Sequence, residues 1–357
     1  MLLFMPTIVF SEEDCVRNHA NELALMGTRA MIVTGKRSSR VNGSLNDVEE
    51  ALKSKNISYI IFDDIEENPS VETVMKARDI GIKENVDFII GIGGGSPLDA
   101  SKAIALMIAN PDKDETVLYE NVPLGYIPVA CVPTTCGTGS EVTPYAILTL
   151  HKQRTKKSIS HKIYPTTALI DGKYLNTADR SCIVNTAVDA LAHLIESYLN
   201  TNSNDLNRIY SREGLMLWGQ IKDKLIEDKI TKADYTKLMH ASMVAGMAIT
   251  HTGTSLPHGL SYMITYEMGV PHGKAVGMYL GGYVSIYKDK EEAGEVLRLL
   301  GFESADALSD YLDKILGDTE VSKEILEKNA ESILSNEAKL KNYPFSITRE
   351  EILSMKK

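Results

Sequence analysis

The chain has 357 residues, a formal net charge of −10, 43% hydrophobic residues and 24% charged residues, values typical of a globular protein large enough for two domains. The acidic balance excludes a nucleic-acid surface, which needs a basic patch, and no apolar run approaches the ~20 residues of a membrane span. The four cysteines form no Cys-x-x-Cys pair, so neither a zinc knuckle nor a disulfide framework is indicated, and a cytoplasmic location is expected.

The first half alternates short apolar segments with amphipathic ones. Strands are predicted at 4–10, 30–34, 59–62, 88–92, 126–132 and 168–171, helices at 12–26, 46–55, 70–84 and after the glycines at 93–95, and a hairpin-like segment at 144–150. This alternation is typical of an α/β domain built on a parallel sheet. We assign residues 1–174 to this domain.

A glycine turn stands at the centre of this half, where the strand 88–92 runs directly into Gly93-Gly94-Gly95 and a helix start. These glycines lack a Cβ, so a ligand can approach the backbone closely. Ser96 is predicted as the N-cap, and Asp99 as its partner in a capping box. A helix N-terminus behind such a turn holds phosphate, which predicts a pyrophosphate site, although a simple tight turn is the alternative. Unlike the common dinucleotide fingerprint, the turn follows a late strand and no acidic residue follows at the ribose spacing.

The second half loses its strand signals after about residue 175. Long helical patterns are predicted at 180–200, 205–225 and 232–251, with several more after 276. We therefore assign 175–357 to an all-helical domain.

Four side chains of this half are candidate metal ligands. Asp189 and His193 are four residues apart in the helix 180–200 and project from one face. His258 and His272 each precede a glycine in a mostly apolar section. One carboxylate and three imidazoles suit a first-row divalent metal with room for a substrate oxygen. Satisfied structural histidines are the alternative.

Several ordered motifs together resemble the iron-dependent (group III) alcohol dehydrogenases, in particular the butanol and propanediol dehydrogenases that prefer NADP. The matching stretches are 5–7 (Met-Pro-Thr), 93–99 (Gly-Gly-Gly-Ser-Pro-Leu-Asp), 133–143 (Pro-Thr-Thr-Cys-Gly-Thr-Gly-Ser-Glu-Val-Thr), 188–193 (Val-Asp-Ala-Leu-Ala-His) and 258–272. The resemblance runs nearly from end to end. It implies a Rossmann-like N-terminal domain and a helical C-terminal domain, the architecture of dehydroquinate synthase, and a homodimer.

The resemblance also assigns site residues. It places Fe²⁺ or Zn²⁺ on the catalytic residues Asp189, His193, His258 and His272. It places the cofactor pyrophosphate on Gly93, Gly94, Gly95 and Ser96, with Asp99 in the same loop. It places the nicotinamide and its ribose near Thr134, Thr135 and Thr138, with Lys157 reaching a ribose and Asn68 and Pro69 lining the adenosine side.

The loop after the strand 30–34 bears on the choice of dinucleotide. NAD-binding folds place an acidic residue there to hold the ribose 2′-OH. Here the loop contains Gly35, Ser38 and Ser39 among three cations, and no acid until Asp47. Such a loop favours a 2′-phosphate, so NADP is predicted over NAD, with a solvated basic loop as the alternative.

The sequence thus predicts a metal-dependent alcohol dehydrogenase or aldehyde reductase that transfers a hydride between NADP(H) and a small primary alcohol, diol or aldehyde. A same-fold enzyme acting on a charged substrate, such as a polyol phosphate dehydrogenase or a dehydroquinate-synthase-like lyase, is the alternative, as is a non-catalytic nucleotide-binding relative. The stretches 183–199 and 253–272 contain no Arg or Lys, which counts against charged substrates. Two residues depart from the family pattern: Tyr262 replaces a frequent histidine, and Cys136 replaces a small residue.

Overall fold

A computed structural model describes residues 3–153 and 155–356. The strands in chain order are β1 (Ile8–Ser11), β2 (Arg29–Thr34), β3 (Ser58–Phe62), β4 (Phe88–Gly93), β5 (Val129–Pro133), β6 (Ile147–Leu150), β7 (Thr155–Ser158) and β8 (Thr167–Ile170). Six of them form one parallel sheet in the order β1-β8-β5-β4-β2-β3, and β6 pairs with β7 in an antiparallel hairpin. The predicted parallel sheet is confirmed.

Both faces of this sheet are covered. On β2, Met31 and Val33 pack into one apolar core, whereas Ala30 and Ile32 pack into the other. Because side chains alternate along a strand, a strand buried on both faces is apolar throughout. The helices that cover the sheet are α1 (Cys15–Asn18), α2 (Ala20–Ala24), α3 (Ser38–Val41), α4 (Ser44–Ser54), α5 (Val71–Lys83) and α6 (Gly95–Ala109).

Some predicted element bounds are wrong. The predicted helix 12–26 is two short helices, because His19 leaves helical geometry between them. The predicted strands 4–10 and 126–132 begin later, at Ile8 and Val129. In each case a proline precedes the observed start, and proline has no N–H to donate to a neighbouring strand.

The second half is helical, as predicted. Its helices are α7 (Arg180–Tyr198), α8 (Arg208–Gly219), α9 (Lys222–Glu227), α10 (Lys232–Thr252), α11 (Leu256–Met268), α12 (His272–Gly277), α13 (Leu280–Ile286), α14 (Lys290–Leu300), α15 (Ala305–Leu316), α16 (Lys323–Leu334), α17 (Glu337–Leu340) and α18 (Arg349–Leu353). The predicted helix 205–225 is two helices, α8 and α9. Among the described residues, none of the helices combines the length and apolar character needed to cross a membrane.

The described residues group into two compact units. One contains Met5–Thr135 and Gly139–Thr177, and therefore the parallel sheet. The other contains the chain from Ala178 onward together with Cys136–Thr138.

Candidate functional site

Two of the predicted metal ligands lie one turn apart on α7. An Asp179 oxygen caps this helix by accepting the Cys182 N–H at 2.7 Å. Asp189 and His193 follow at helical spacing and project from one face. Both side chains are buried. The helix therefore presents a carboxylate and an imidazole together to the interior of its unit.

The other two ligands lie at the beginnings of later helices. His258 is in the first turn of α11, and His272 is the first residue of α12. A Cβ on Gly273 would lie 1.8 Å from the Asn185 carbonyl oxygen of α7. Glycine after His272 is therefore required for α12 to approach α7 this closely, which explains one of the two His-Gly pairs in the sequence.

The three histidine side chains converge on one oxygen atom of the fourth, Asp189. His258 Nε2 and His272 Nε2 lie 3.4 and 3.5 Å from Asp189 Oδ1. His193 Nε2 lies 3.9 Å from the same oxygen. Two ligands about 2.1 Å from a tetrahedral ion lie about 3.4 Å apart, so the first two spacings match a shared ion. The ligand atoms of Asp189, His258 and His272 all lie within 4.8 Å of one another.

Two buried polar atoms at this point have no hydrogen-bond partner among the described residues. They are Asp189 Oδ1 and His258 Nε2. Leaving such an atom unsatisfied costs about 1–3 kcal/mol, so it calls for an explanation. A first-row divalent ion accepts a carboxylate oxygen and an imidazole nitrogen together. The residues therefore fit the predicted metal, and this donor set suits iron and zinc alike.

The opposite ring nitrogens, Nδ1, contact oxygen atoms that can accept a hydrogen bond. His193 Nδ1 lies 3.3 Å from the Gly137 carbonyl oxygen. His272 Nδ1 lies 3.5 Å from the Ser261 hydroxyl, whose own proton is donated to the His258 carbonyl. A proton held on Nδ1 leaves Nε2 free to bind a metal.

Glu196 holds His258 by two hydrogen bonds. This carboxylate is fully buried, its Oε1 accepts the His258 backbone N–H at 2.8 Å, and its Oε2 lies 2.6 Å from Nδ1. Both partners are donors, so the position needs two acceptors on one side chain, which a carboxylate supplies. Glu196 was not among the predicted residues. The sequence did contain a signal for it: Glu196 follows Asp189 by seven residues and therefore lies on the same face of the helix.

Neighbouring charges and burial shift the pKa values of two histidines in opposite directions. Burial alone disfavours a charged His258, but Glu196 and Asp189 together raise its pKa to about 10. Burial lowers the pKa of His193 to about 4. The two buried carboxylates therefore favour positive charge at His258, and a bound divalent ion would supply such charge.

In the other unit, the glycine turn joins β4 to α6. Gly94 is the N-cap of α6 and, as a glycine, has no side chain with which to cap the first amides of the helix. Gly93 has a φ of 148°, which favours glycine, and a Cβ there would lie 2.6 Å from Pro97 Cγ. Uncapped amides at a helix N-terminus bind anions, so this turn, with Gly95 as the first helical residue, fits the pyrophosphate of a dinucleotide.

The predicted capping box at the start of α6 is wrong. Ser96 lies inside the helix, and its hydroxyl accepts the Asn68 N–H at 3.0 Å. The Asp99 carboxylate accepts the Ser140 hydroxyl at 2.5 Å and the Ile147 N–H at 2.9 Å. Both side chains thus contact other segments instead of capping their own helix. A contribution of Asp99 to cofactor binding stays a prediction.

Segments that are distant in sequence meet beside this turn. The Asn68 carbonyl accepts the Thr149 hydroxyl at 2.8 Å, and the Pro69 carbonyl accepts the Thr149 N–H at 2.8 Å. Lys156 Nζ donates to Asn68 Oδ1 at 2.7 Å. With the bond from Asn68 to Ser96, these contacts gather three of the predicted cofactor residues into one cluster.

The lysine of this cluster is Lys156, whereas the family pattern points to Lys157. Successive residues of β7 project to opposite faces of the hairpin. Lys157 Nζ lies over the Tyr119 ring, 5.0 Å from its centre. The role of Lys157 stays a prediction, and Lys156, its neighbour in sequence, is a second candidate.

The predicted threonines follow the carboxyl end of β5. The Thr134 N–H donates to the Gly93 carbonyl at 2.9 Å, and a Cβ on Gly94 would lie 3.0 Å from Thr135 Oγ1. These two threonines therefore adjoin the glycine turn. Thr138 groups with the helical unit instead.

Cys136, the departure from the family pattern, is fully buried. Its Sγ lies 3.2 Å from the Thr186 hydroxyl. Burial raises the pKa of this thiol to about 12. Because the thiolate is the reactive form, Cys136 is a structural thiol rather than an oxidation-sensitive one.

The basic loop after β2 contacts two carboxylates that are distant from it in sequence. Lys36 Nζ lies 3.2 Å from Asp64, and the Arg40 guanidinium lies 2.7 Å from Asp63. Both acids directly follow β3, which pairs with β2. The pairing of the two strands brings them to the loop, although they are more than twenty residues away in the chain.

The remaining loop residues differ in exposure. Arg37 and Ser38 are exposed, and Arg37 has no ion pair with any residue that the structure describes. Ser39 is fully buried, and Gly35 packs near the Ile65 carbonyl. Arg37 and Ser38 are therefore the side chains that remain open to a 2′-phosphate.

A buried polar network joins α6 to the segment 139–147. Lys102 Nζ donates to the Ser140 hydroxyl at 2.7 Å and to the Tyr145 carbonyl at 2.8 Å. Glu141 is buried nearby. Burial raises the pKa of Glu141 to about 7 and lowers the pKa of Lys102. The network fixes the helix that begins at the glycine turn against the segment that follows the threonines.

Comparison with known protein families gives two matches that together span most of the chain. The model described as iron-containing alcohol dehydrogenase matches residues 6–172. The model described as the C-terminal part of the Fe-containing alcohol dehydrogenase family matches residues 183–357.

Individual proteins give similar results. The chain is 27% identical over 292 residues to the long-chain primary alcohol dehydrogenase AdhA of Thermoanaerobacter ethanolicus, covering 80% of this chain and 73% of that protein. It is 31% identical over 313 residues to the 4-hydroxybutyrate dehydrogenase of Clostridium kluyveri, covering 78% and 79%. The structure is similar to that of an iron-containing alcohol dehydrogenase from Thermotoga maritima, with a TM-score of 0.91, 38% identity and coverage of 99% and 98%.

We predict that Glu196→Gln weakens metal binding about 10- to 100-fold. Glutamine offers one acceptor and one donor, so once its oxygen accepts the His258 N–H, its amide forces the ring proton onto Nε2. The Kd for Co²⁺ is measured by chelator competition, with Ser261→Ala as the comparison, because it removes the longer contact to His272 and a bond to the His258 carbonyl but leaves both Glu196 bonds to His258 in place. An unchanged Kd in Glu196→Gln would contradict this role.

We also predict a pH-dependent stability difference between the wild type and Glu141→Gln. The pKa of Glu141 is about 7 in the folded chain and about 4.5 unfolded, so the folded state binds the extra proton between these values. The free energy of unfolding of the wild type therefore falls as pH rises through this window, by about 3 kcal/mol in total. Urea unfolding of both proteins at pH 5, 6, 7 and 8 measures the difference, which must grow with pH.

Proposed function

The chain belongs to the iron-containing alcohol dehydrogenase family, and on that premise we propose that it transfers a hydride between NADP(H) and a small primary alcohol, diol or aldehyde, with Fe²⁺ or Zn²⁺ bound at Asp189, His193, His258 and His272. The names of two relatives, a primary alcohol dehydrogenase and a 4-hydroxybutyrate dehydrogenase, agree with a substrate that carries a hydroxyl group. The reverse reaction reduces an aldehyde.

One observation carries this proposal. Three imidazole nitrogens lie 3.4–3.9 Å from a single buried carboxylate oxygen. Two of the converging atoms, Asp189 Oδ1 and His258 Nε2, face each other at 3.4 Å without good hydrogen-bond geometry, and neither has another hydrogen-bond partner among the described residues. A purely structural cluster of histidines would satisfy these atoms internally.

The chemistry divides between bound groups and the chain. A bound divalent ion supplies a Lewis acid for the substrate oxygen, and the nicotinamide supplies or accepts the hydride. The side chains of Asp189, His193 and His258 are at most 8% exposed, whereas that of His272 is 37% exposed. The centre is therefore open on the His272 side, where a substrate oxygen can approach, and closed to water on the others.

Preference for NADP rests on the loop after β2. Arg37 is an exposed guanidinium with no ion pair among the described residues, and Ser38 adds an exposed hydroxyl. A guanidinium binds phosphate by two parallel hydrogen bonds. Lys36 and Arg40 already pair with Asp64 and Asp63, so we assign the 2′-phosphate to Arg37 and Ser38 rather than to the whole basic loop.

The activity test uses protein stripped of metal and reloaded anaerobically with Fe²⁺ or Zn²⁺. We expect butyraldehyde reduction that requires the metal and is faster with NADPH than with NADH, by about tenfold or more in kcat/KM. Arg37→Gln should remove most of that preference, and Lys36→Gln should retain it. Turnover with NADH alone contradicts the cofactor assignment, and no turnover with either metal contradicts the proposed reaction.

The two lysines of β7 give a second test. Because Lys156 contacts Asn68 and Lys157 does not, Lys156→Met should raise the KM for the dinucleotide about tenfold. Lys157→Met is the matched control and should stay within about twofold of the wild type. The reverse result would support the lysine that the family pattern indicates.

A further inference from the structure

The side chain of Lys339 lies against the helix that carries His258. Lys339 belongs to the short helix α17, and a Cβ on Gly259 would lie 3.3 Å from Lys339 Cγ. Its Nζ donates to the Thr254 hydroxyl at 2.5 Å. The absence of a side chain at Gly259 thus lets the Lys339 stem pass directly over the first turn of α11.

The ammonium group also lies beside the open side of the metal centre. Lys339 Nζ is 5.5 Å from the centre of the Tyr262 ring. That ring stacks nearly parallel to His272, with ring centres 6.0 Å apart and an interplanar angle of 8°. Tyr262 is 44% exposed and His272 is the exposed ligand. Lys339 therefore lies within about 12 Å of the His272 ring centre, next to an accessible aromatic surface.

Lys339 has no close ion pair. Among the described residues no carboxylate lies within 4.0 Å of its Nζ. The carboxylate on which its charge acts, Glu196, is fully buried and already holds His258 by two hydrogen bonds. An ammonium has three donors, and Thr254 takes one of them. With a divalent ion bound, Asp189 and Glu196 balance the charge of the metal, and Lys339 leaves one positive charge in excess.

We propose that Lys339 is the binding site for an anionic group at the far end of the substrate. The inference rests on the proposed function and narrows its substrate class to short ω-hydroxy acids and the corresponding aldehyde acids. The hydroxyl end is oxidised as in any primary alcohol: a hydride passes from carbon to the oxidised nicotinamide, and the hydroxyl proton passes to solvent water. The carboxylate at the other end is unchanged and pairs with Lys339.

The sequence alone indicated the opposite preference. No Arg or Lys occurs in 183–199 or 253–272, the stretches that contain the ligands. Lys339 comes from a helix that begins 65 residues after His272 and reaches this place only through the packing of α17 against α11. Because Lys339 supplies a cation near the ligands, the lack of Arg and Lys in those two stretches no longer argues against a charged substrate.

The test compares two aldehydes of equal length, butyraldehyde and 4-oxobutanoate, on the metal-loaded enzyme. In the wild type, kcat/KM should favour 4-oxobutanoate, mainly through KM. Lys339→Met should lower that preference about 10- to 100-fold, the range expected for losing a hydrogen bond to a charged group. Lys339→Arg keeps the charge and should restore most of it. Lys341→Met removes an exposed lysine of the same segment and should leave the wild-type ratio.

Failure of this inference is distinguishable from failure of the proposed function. If the wild type reduces butyraldehyde but has the same ratio of kcat/KM values for the two aldehydes as Lys339→Met, the anion site is refuted. The proposed dehydrogenase activity is then still supported. If neither aldehyde is turned over, calorimetry with 4-hydroxybutyrate and 1-butanol decides. If the wild type binds 4-hydroxybutyrate and Lys339→Met weakens that binding, the anion site is supported and only the proposed reaction is refuted. Equal affinity for the two ligands refutes the site.

Discussion

The buried carboxylate of Asp189 is the constraint on which the helical half depends. An ionised carboxylate removed from water is stable only beside positive charge or a metal. His193 is brought to it by helical spacing within α7. His258 and His272 are brought to it because α11 and α12 begin beside α7, at distances of 3.4 and 3.5 Å. Gly273 makes one of these approaches sterically feasible.

The groups behind the histidines decide which nitrogen faces the centre. Glu196 fixes His258 through its ring and its backbone, and the Gly137 carbonyl lies next to the ring of His193. The ring contact of His272 to Ser261 is longer, at 3.5 Å, and His272 is the most exposed of the four side chains. The centre is thus buried at Asp189, His193 and His258 and open at His272, which is the asymmetry that a substrate site requires. Lys339 lies on that open side.

In the sheet-bearing unit, polar groups from distant segments likewise surround one position, the glycine turn before α6. The first amides of α6 are left uncapped by Gly94 and are therefore available to an anion, and the surrounding segments are held by buried polar contacts as well as by apolar packing. Asn68 is the meeting point, because its backbone and side chain contact Ser96, Thr149 and Lys156. These contacts hold three distant stretches of chain around one turn.

The sequence by itself determined the fold class and the glycine turn, because period and glycine clusters are local properties. The i, i+4 spacing put Asp189 and His193 on one helix face, and the resemblance to a known family predicted His258 and His272 as further ligands. The bounds of β1, the absence of a capping box at Ser96 and the pairing of Lys36 with Asp64 were decided by tertiary structure. The positions of the Lys156 and Lys339 side chains were also decided by tertiary structure. These features depend on which strands pair and which helices pack together. Strand pairing and helix packing bring together residues that no spacing in the chain connects, so only the folded structure reveals their neighbours.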